Sequence, residues 1–595
     1  MPWHVSGKAG RRAGATAYLL LYLCQLDVTR GADVECSTNE ACGRPVVQIA
    51  SLEPSVVDVF GTYETLWYSN RTVEVFRGIP YAEAPVGNRR FAQSAPLWRL
   101  PTNPFYATNY GPACLQIYSN VSQSEDCLHL NIWRPHEIAT AAAATATAAV
   151  NAGAYRRVER SRRQLLPVII MIHGGAFVVG HSRSPNYNGL PLVAAGSRDL
   201  IVVNFNYRLG PFGFVDMSEV VSGVPGNQGW HDQRLAMTWV RTHIESFGGD
   251  PNRITVLGCS AGAIAASYHL MSPLSNRLFS RVVLDAGVLS SPRRIDTARR
   301  SLQRLLRLAV KVDCVHGEAS KLLRCLRAVD ATRLRDASLD VMDSPLLGFR
   351  PTAASDADAK VPSDVAVLMG HSGDEGLSLV SNGFGINDPL PTLRNVDEGV
   401  LWCKTLLATA MPHAQARIEA NWPSIARLIE NLYFAGSGGR SGPASEDNAP
   451  VGIPILVDAA ALFVADLFFH CNMLDFYKRA PNATFYVFKR AFADNIEWDV
   501  NPRVYRSFHM TAHMHFVGSQ LITMKNRIHR DDLAFSLKAM RWLSHFVWFG
   551  KLANEFPSAR YPEIVSISDQ SVTLDTHHSA SRRCSQLMQT LLWLV

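Results

Sequence analysis

The run Gly258-Cys259-Ser260-Ala261-Gly262 constrains this chain more than any other stretch. It follows the apolar residues Ile254-Thr255-Val256-Leu257 and precedes small residues from Ala263 to His269, so it reads as strand, sharp turn and helix. A serine on such a turn sits on strained backbone with its hydroxyl lifted above the sheet edge. The flanking glycines are required because side chains there would strike the neighbouring strand and helix. The turn also puts the Ala261 N–H at a helix start, aimed where a tetrahedral oxyanion would form.

A second motif lies upstream. Leu166 to Ile172 is a continuous apolar run, as expected of a buried strand, and it ends in His173-Gly174-Gly175-Ala176-Phe177. A lone Gly-Gly is ordinarily a flexible turn. A Gly-rich loop leaving a strand tip ahead of a serine elbow is better read as the other half of an oxyanion hole, its backbone N–H groups free to converge. Losing one such donor typically costs about 100- to 1,000-fold in turnover.

With 47% hydrophobic and 18% charged residues among 595, the chain is globular and large enough for one big α/β unit. A net charge of +7 over this length is mild and gives no case for nucleic-acid binding. Arg156, Arg157, Arg160, Arg162 and Arg163 cluster. Arg293 to Arg307 reads as a basic amphipathic helix with Leu302, Leu305, Leu306 and Ala309 on one face and a solvated opposite face.

Residues 1–32 read as a secretory signal: Lys8, Arg11 and Arg12 precede the apolar stretch Ala13 to Leu26, which is short for a membrane span. No other run reaches spanning length. The apolar end, Leu587 to Val595, reads as an amphipathic last helix, with a lipid-anchor signal after Ser579-Ala580-Ser581 as the alternative. Eleven cysteines in a secreted chain point to disulfides, and spacing alone leaves their connectivity open. Asn70, Asn120 and Asn482 head glycan acceptor patterns.

Residues 33–595 are expected to form one domain in which strands alternate with helices, hence a large, mostly parallel central sheet covered on both faces. The strands expected are Leu128–Trp133, Leu166–Ile172, Ile201–Tyr207, Ile254–Leu257, Val282–Leu284, Val365–Gly370 and Phe485–Phe488, with a helix from Gln233 to Phe247. The Ala/Thr- and Arg-rich segment 139–163 reads as an exposed insertion in a hairpin between the first two strands, and 436–449 as a Gly/Ser-rich loop.

Several long motifs in order make the chain resemble the carboxylesterase/cholinesterase family of α/β-hydrolases from about Val75 to its end. They are Phe76-Arg77-Gly78-Ile79-Pro80-Tyr81-Ala82, Ser124 to Asn131, Gly226-Asn227-Gln228-Gly229, Phe247-Gly248-Gly249-Asp250-Pro251 and the Ser260 elbow. The resemblance implies disulfides Cys114–Cys127, Cys314–Cys325 and Cys471–Cys584, an ion pair between Arg90 and Glu125, and structural roles for Trp230 and His231. Cys36 with Cys42 would be a local clip outside the family pattern, and Cys259 and Cys403 would stay free. It further implies a secreted serine carboxylic-ester hydrolase that works through an acyl-enzyme and needs no metal or cofactor. Ser260 would be the nucleophile, Glu375 the acid (Asp374 competing), and Gly175, Ala176 and Ala261 the oxyanion donors. The base comes from Ser507 to Gly518, where three histidines compete; aligning Gly518 with the family glycine selects His509 over His513 and His515. Here the family's usual Gly and Glu after the histidine are Met510 and Ala512, and its frequent glutamate before the nucleophile is Cys259. The short loop from Cys114 to Cys127 has no tryptophan, so a quaternary ammonium ester is not the expected substrate. The partner expected is a small-molecule ester, with no nucleic acid and no membrane span in the mature chain. The family also holds adhesion proteins that keep the fold without catalysis, and a weak or inactive binding protein is the alternative reading.

Overall fold

The computed structural model describes residues 44–50, 56–117, 119–136, 165–289, 296–342, 348–352, 360–382, 393–411, 414–435, 455–493, 507–557, 559–576 and 580–594. The proposed signal, Cys36, Cys42, the 139–163 insertion and the 436–449 loop lie outside them.

Eleven strands form the central sheet. In chain order they are β1 (Thr62–Thr65), β2 (Thr72–Pro80), β3 (His129–Pro135), β4 (Leu166–Ile172), β5 (Ile201–Phe205), β6 (Gly249–Cys259), β7 (Arg281–Asp285), β8 (Ala366–Ser372), β9 (Ala483–Phe488), β10 (Ile564–Ile567) and β11 (Val572–Asp575). Across the sheet they run β11-β10-β9-β8-β7-β6-β4-β5-β3-β2-β1. The pairings from β5 through β10 are parallel, and those at the two ends are antiparallel, so the sheet is mixed. Every residue of β4 is buried, which is why its sequence is apolar without alternation: helices cover both faces. A small sheet of Val46–Ala50, Val56–Phe60 and Phe105–Tyr106 stands apart from it.

Three expectations need correction. β3 and β4 are not a hairpin; β5 lies between them, antiparallel to β3 and parallel to β4. Period and turn signals along the chain do not reveal a later strand inserted between two earlier ones. The helix placed at Gln233 starts sooner: α1 is Gln228–His243, and Ile244–Phe247 is a 3₁₀ turn. In the Arg-rich helix, Ala298–Lys311, the buried stripe is Ser301, Arg304, Leu305, Leu308 and Ala309, while Leu306 is 45% exposed. Leu306 sits about 100° around the helix from Leu305, off the stripe. Arg304 enters the stripe instead, its guanidinium 2.5 Å from the Asp296 carboxylate.

Three disulfides join Cys114 to Cys127, Cys314 to Cys325 and Cys471 to Cys584; Cys259 and Cys403 are unbridged and buried. Arg90 donates from Nε and Nη2 to both oxygens of Glu125 at 2.7 and 2.6 Å, and from Nη1 to the carbonyls of Leu326 and Val329. Trp230 is buried and stacks on Tyr268 with ring centroids 3.9 Å apart; His231 Nδ1 bonds Ser94 Oγ. Contrary to the expectation that no second run reaches spanning length, Ile455–Arg479 is helical, long and apolar enough to cross a membrane; it is a core helix here, because most of it is buried and Asp466 within it accepts from Arg583 and His470.

Candidate active site

The elbow occupies the tip of β6, where α2 (Ala261–Met271) begins. Ser260 adopts φ 56° and ψ −122°, a conformation that side-chain-bearing residues hold only when their surroundings over-determine it. Three hydrogen bonds do so. Ser260 N–H donates to Asp285 O (2.9 Å), and Ser260 O accepts from Ala263 N–H (2.9 Å) and Ile264 N–H (3.0 Å). A Cβ on Gly258 would lie 2.1 Å from Gly262 O, and one on Gly262 would lie 2.1 Å from Ile172 O. Helix, elbow and β4 meet too closely at these two positions for any side chain.

The loop after β4 closes on the serine. A Cβ on Gly174 would stand 3.1 Å from Ser260 Cβ. Gly175, Ala176 and Phe177 then hold successive positive φ values of 108°, 54° and 64°. The N–H groups of Val178 and Val179 both turn back to Gly175 O at 3.0 Å. Among the described residues no acceptor engages the N–H of Gly175, Ala176 or Ala261.

Glu375 opens the helix α3 (Glu375–Asn382) directly after the β8 tip. Its carboxylate is fully buried. Oε1 accepts from Ser372 N–H at 2.7 Å, and Oε2 accepts from His509 Nδ1–H at 2.5 Å. Asp374, the competitor, accepts instead from Ser507 N–H at 3.2 Å. His509 precedes α4 (Thr511–Val517), with Met510 between them in the left-handed region at φ 77°. Its ring packs on Phe469, centroids 5.0 Å apart.

The other two histidines are engaged elsewhere. His513 Nε2–H donates to Asn186 O at 2.9 Å, and burial lowers its pKa to about 4. His515 Nδ1 bonds Ser536 Oγ, and burial pushes it well below the ordinary imidazole range. The structure thus brings together Glu375 and His509 by direct contact, and Ser260 with the Gly174–Ala176 loop. Sequence reasoning passed over Asp285 and Tyr486. Tyr486 Oη donates to Asp285 Oδ1 at 2.5 Å, and burial raises the Asp285 carboxyl to about 7. The available signal was an apolar strand, Val282–Leu284, ending in an aspartate.

A serine elbow between a parallel strand and a helix, on a mixed sheet of this order, defines an α/β-hydrolase. The chain belongs to the Carboxylesterase family, whose profile matches residues 45–592. It is 35% identical over 304 residues to a carboxylic ester hydrolase of Bombus ignitus, covering 50% of this chain and 49% of that protein. It is 34% identical over 331 residues to an acetylcholinesterase of Danio rerio, covering 51% and 48%. A cholinesterase of Mus musculus is 28% identical over 546 residues, covering 85% and 80%. The first two matches span about half the length of those relatives.

Proposed function

We propose that the protein is a serine carboxylic-ester hydrolase using Ser260, His509 and Glu375, and that it acts in an oxidising, extracellular setting. The observation that carries this reading is the buried contact between His509 Nδ1–H and Glu375 Oε2 at 2.5 Å. With the proton held on Nδ1, the neutral ring keeps its lone pair on Nε2, the form a general base requires. Ser260 attacks the ester carbonyl as His509 takes its proton. Glu375 stabilises the resulting imidazolium, and the amides of Gly175, Ala176 and Ala261 hold the oxyanion. The alcohol leaves with the proton from His509. Water then enters by the reverse route and frees the acid. The three disulfides and the exposed positions of Asn70, Asn120 and Asn482 support export and glycosylation. Cys259 stands where the family frequently has a glutamate, and the lack of that carboxylate beside the serine supports neutral over cationic esters.

The test is a short-chain aryl ester together with a fluorophosphonate probe. Ser260→Ala and His509→Ala are each expected to lower kcat by about 10⁴-fold or more, with Ser260→Ala also losing the label. Folded wild-type protein that turns over no ester would favour the adhesion reading instead. Activity kept in His509→Ala but lost in His513→Ala would overturn the choice of base.

A further inference from the structure

Three side chains that this reaction does not use meet just inside the elbow. Cys259 is the last residue of β6 and Asp285 the last of β7, and the two are direct partners in the parallel register. His513 reaches them from α4. None is more than 1% exposed, and one donor atom from each lies within 4.8 Å of the other two.

Their outer partners orient them. Asn186 O can only accept, so the neutral His513 ring carries its proton on Nε2 and its lone pair on Nδ1. Nδ1 is buried with no hydrogen-bond partner among the described residues. Tyr486 Oη–H occupies Asp285 Oδ1, and the buried carboxylate is also hydrogen-bonded by the Cys259 thiol, whose proton a metal would displace. An imidazole fixed through its far nitrogen by a carbonyl, and a carboxylate fixed through its far oxygen by a phenol, are the outer contacts that metal-ligating side chains ordinarily carry. Thiolate, imidazole and carboxylate together suit zinc among the common divalent ions.

We propose that Cys259, Asp285 and His513 form a zinc site immediately behind the nucleophile. The ion takes lone pairs from Cys259 Sγ, Asp285 Oδ2 and His513 Nδ1. The thiol proton leaves to solvent, and no atom changes oxidation state. Zinc bonds of about 2.0–2.3 Å require the three donors to draw in by about 1 Å, and a water completes the tetrahedron. The ion ties the tips of β6 and β7 to α4. It therefore pins the carbonyl of Asp285 that receives the Ser260 N–H. Because the three donors are buried, the metal enters as the chain folds.

The experiment is to produce the full chain with Zn²⁺ or Co²⁺ in the medium, then measure bound metal by elemental analysis and the thiolate-to-cobalt absorption band. Neither readout depends on ester turnover, so failure here is separate from failure of the hydrolase reading. About one ion per chain is expected. The band should persist when Cys36, Cys42 and Cys403 are all changed to serine. Cys259→Ala and His513→Ala should abolish metal retention, and Tyr486→Phe should weaken it by about 10- to 100-fold. Should the ligand variants not fold, the triple serine variant still decides, because Cys259 is then the sole unbridged thiol after Cys24 departs with the signal. Folded protein without metal or band, as a purely hydrogen-bonded cluster would give, overturns the proposal. So does a band that survives Cys259→Ala.

Discussion

Ala176 holds φ 54° in the loop against Ser260, a conformation that costs a residue with a Cβ on the order of 1 kcal/mol relative to glycine. Ala176→Gly is therefore expected to raise unfolding free energy by about 0.5–1 kcal/mol while keeping the N–H in place. Chemical denaturation checks this, and a loss of stability would show that the methyl's packing outweighs the strain. Much of the site was legible at this scale. Ser260 announced itself through its glycines, and a resemblance picked Glu375 and His509 from close competitors. Met510, where the resemblance would place a glycine, holds φ 77°, a left-handed conformation that glycine adopts more readily. Asp285 was illegible because its importance comes from what packs on it: β6, Tyr486 and α4 converge there from positions remote in the chain.

At the scale of elements, the elbow works because β4, β6 and α2 approach with no room for side chains. Gly262→Val would put atoms where Ile172 O already stands, about 2.1 Å from the Cβ. Soluble yield and fluorophosphonate labelling should fall together, by about 100-fold or more for labelling, since a displaced serine costs at least what one lost oxyanion donor costs. A variant that folds and labels normally would show that the elbow can shift. The strands β3 to β9 were readable from apolar runs, while β1, β2, β10 and β11 at the two ends of the sheet were not. The order of strands was not, because β5 enters between β3 and β4 through pairings that local pattern does not encode. The Arg-rich helix shows the same limit: its existence followed from period, its buried stripe from the neighbours it met.

For the whole molecule, acid is the expected weakness. Burial lowers the pKa of His173 to about 4 and of His181 and His269 to about 3. These rings fold neutral, so below about pH 6.5 the unfolded chain binds protons that the folded chain refuses. Stability conferred by the neutral rings is complete above that pH. It is lost as pH falls towards 4, by at most about 1.4 kcal/mol per pH unit for each histidine. Thermal unfolding scans between pH 7 and 4 should show a melting temperature that declines steadily. A flat profile would mean that water or rearrangement lets the rings charge inside the fold.

The bridge from Cys471 to Cys584 has a consequence for biogenesis. Its two halves are separated by 113 residues, so the first is synthesised well before the second. Until Cys584 is made, Cys471 is an unbridged thiol in a chain that also carries the unbridged Cys403. A chain that stops before residue 584 therefore keeps Cys471 without the partner that closes this bridge.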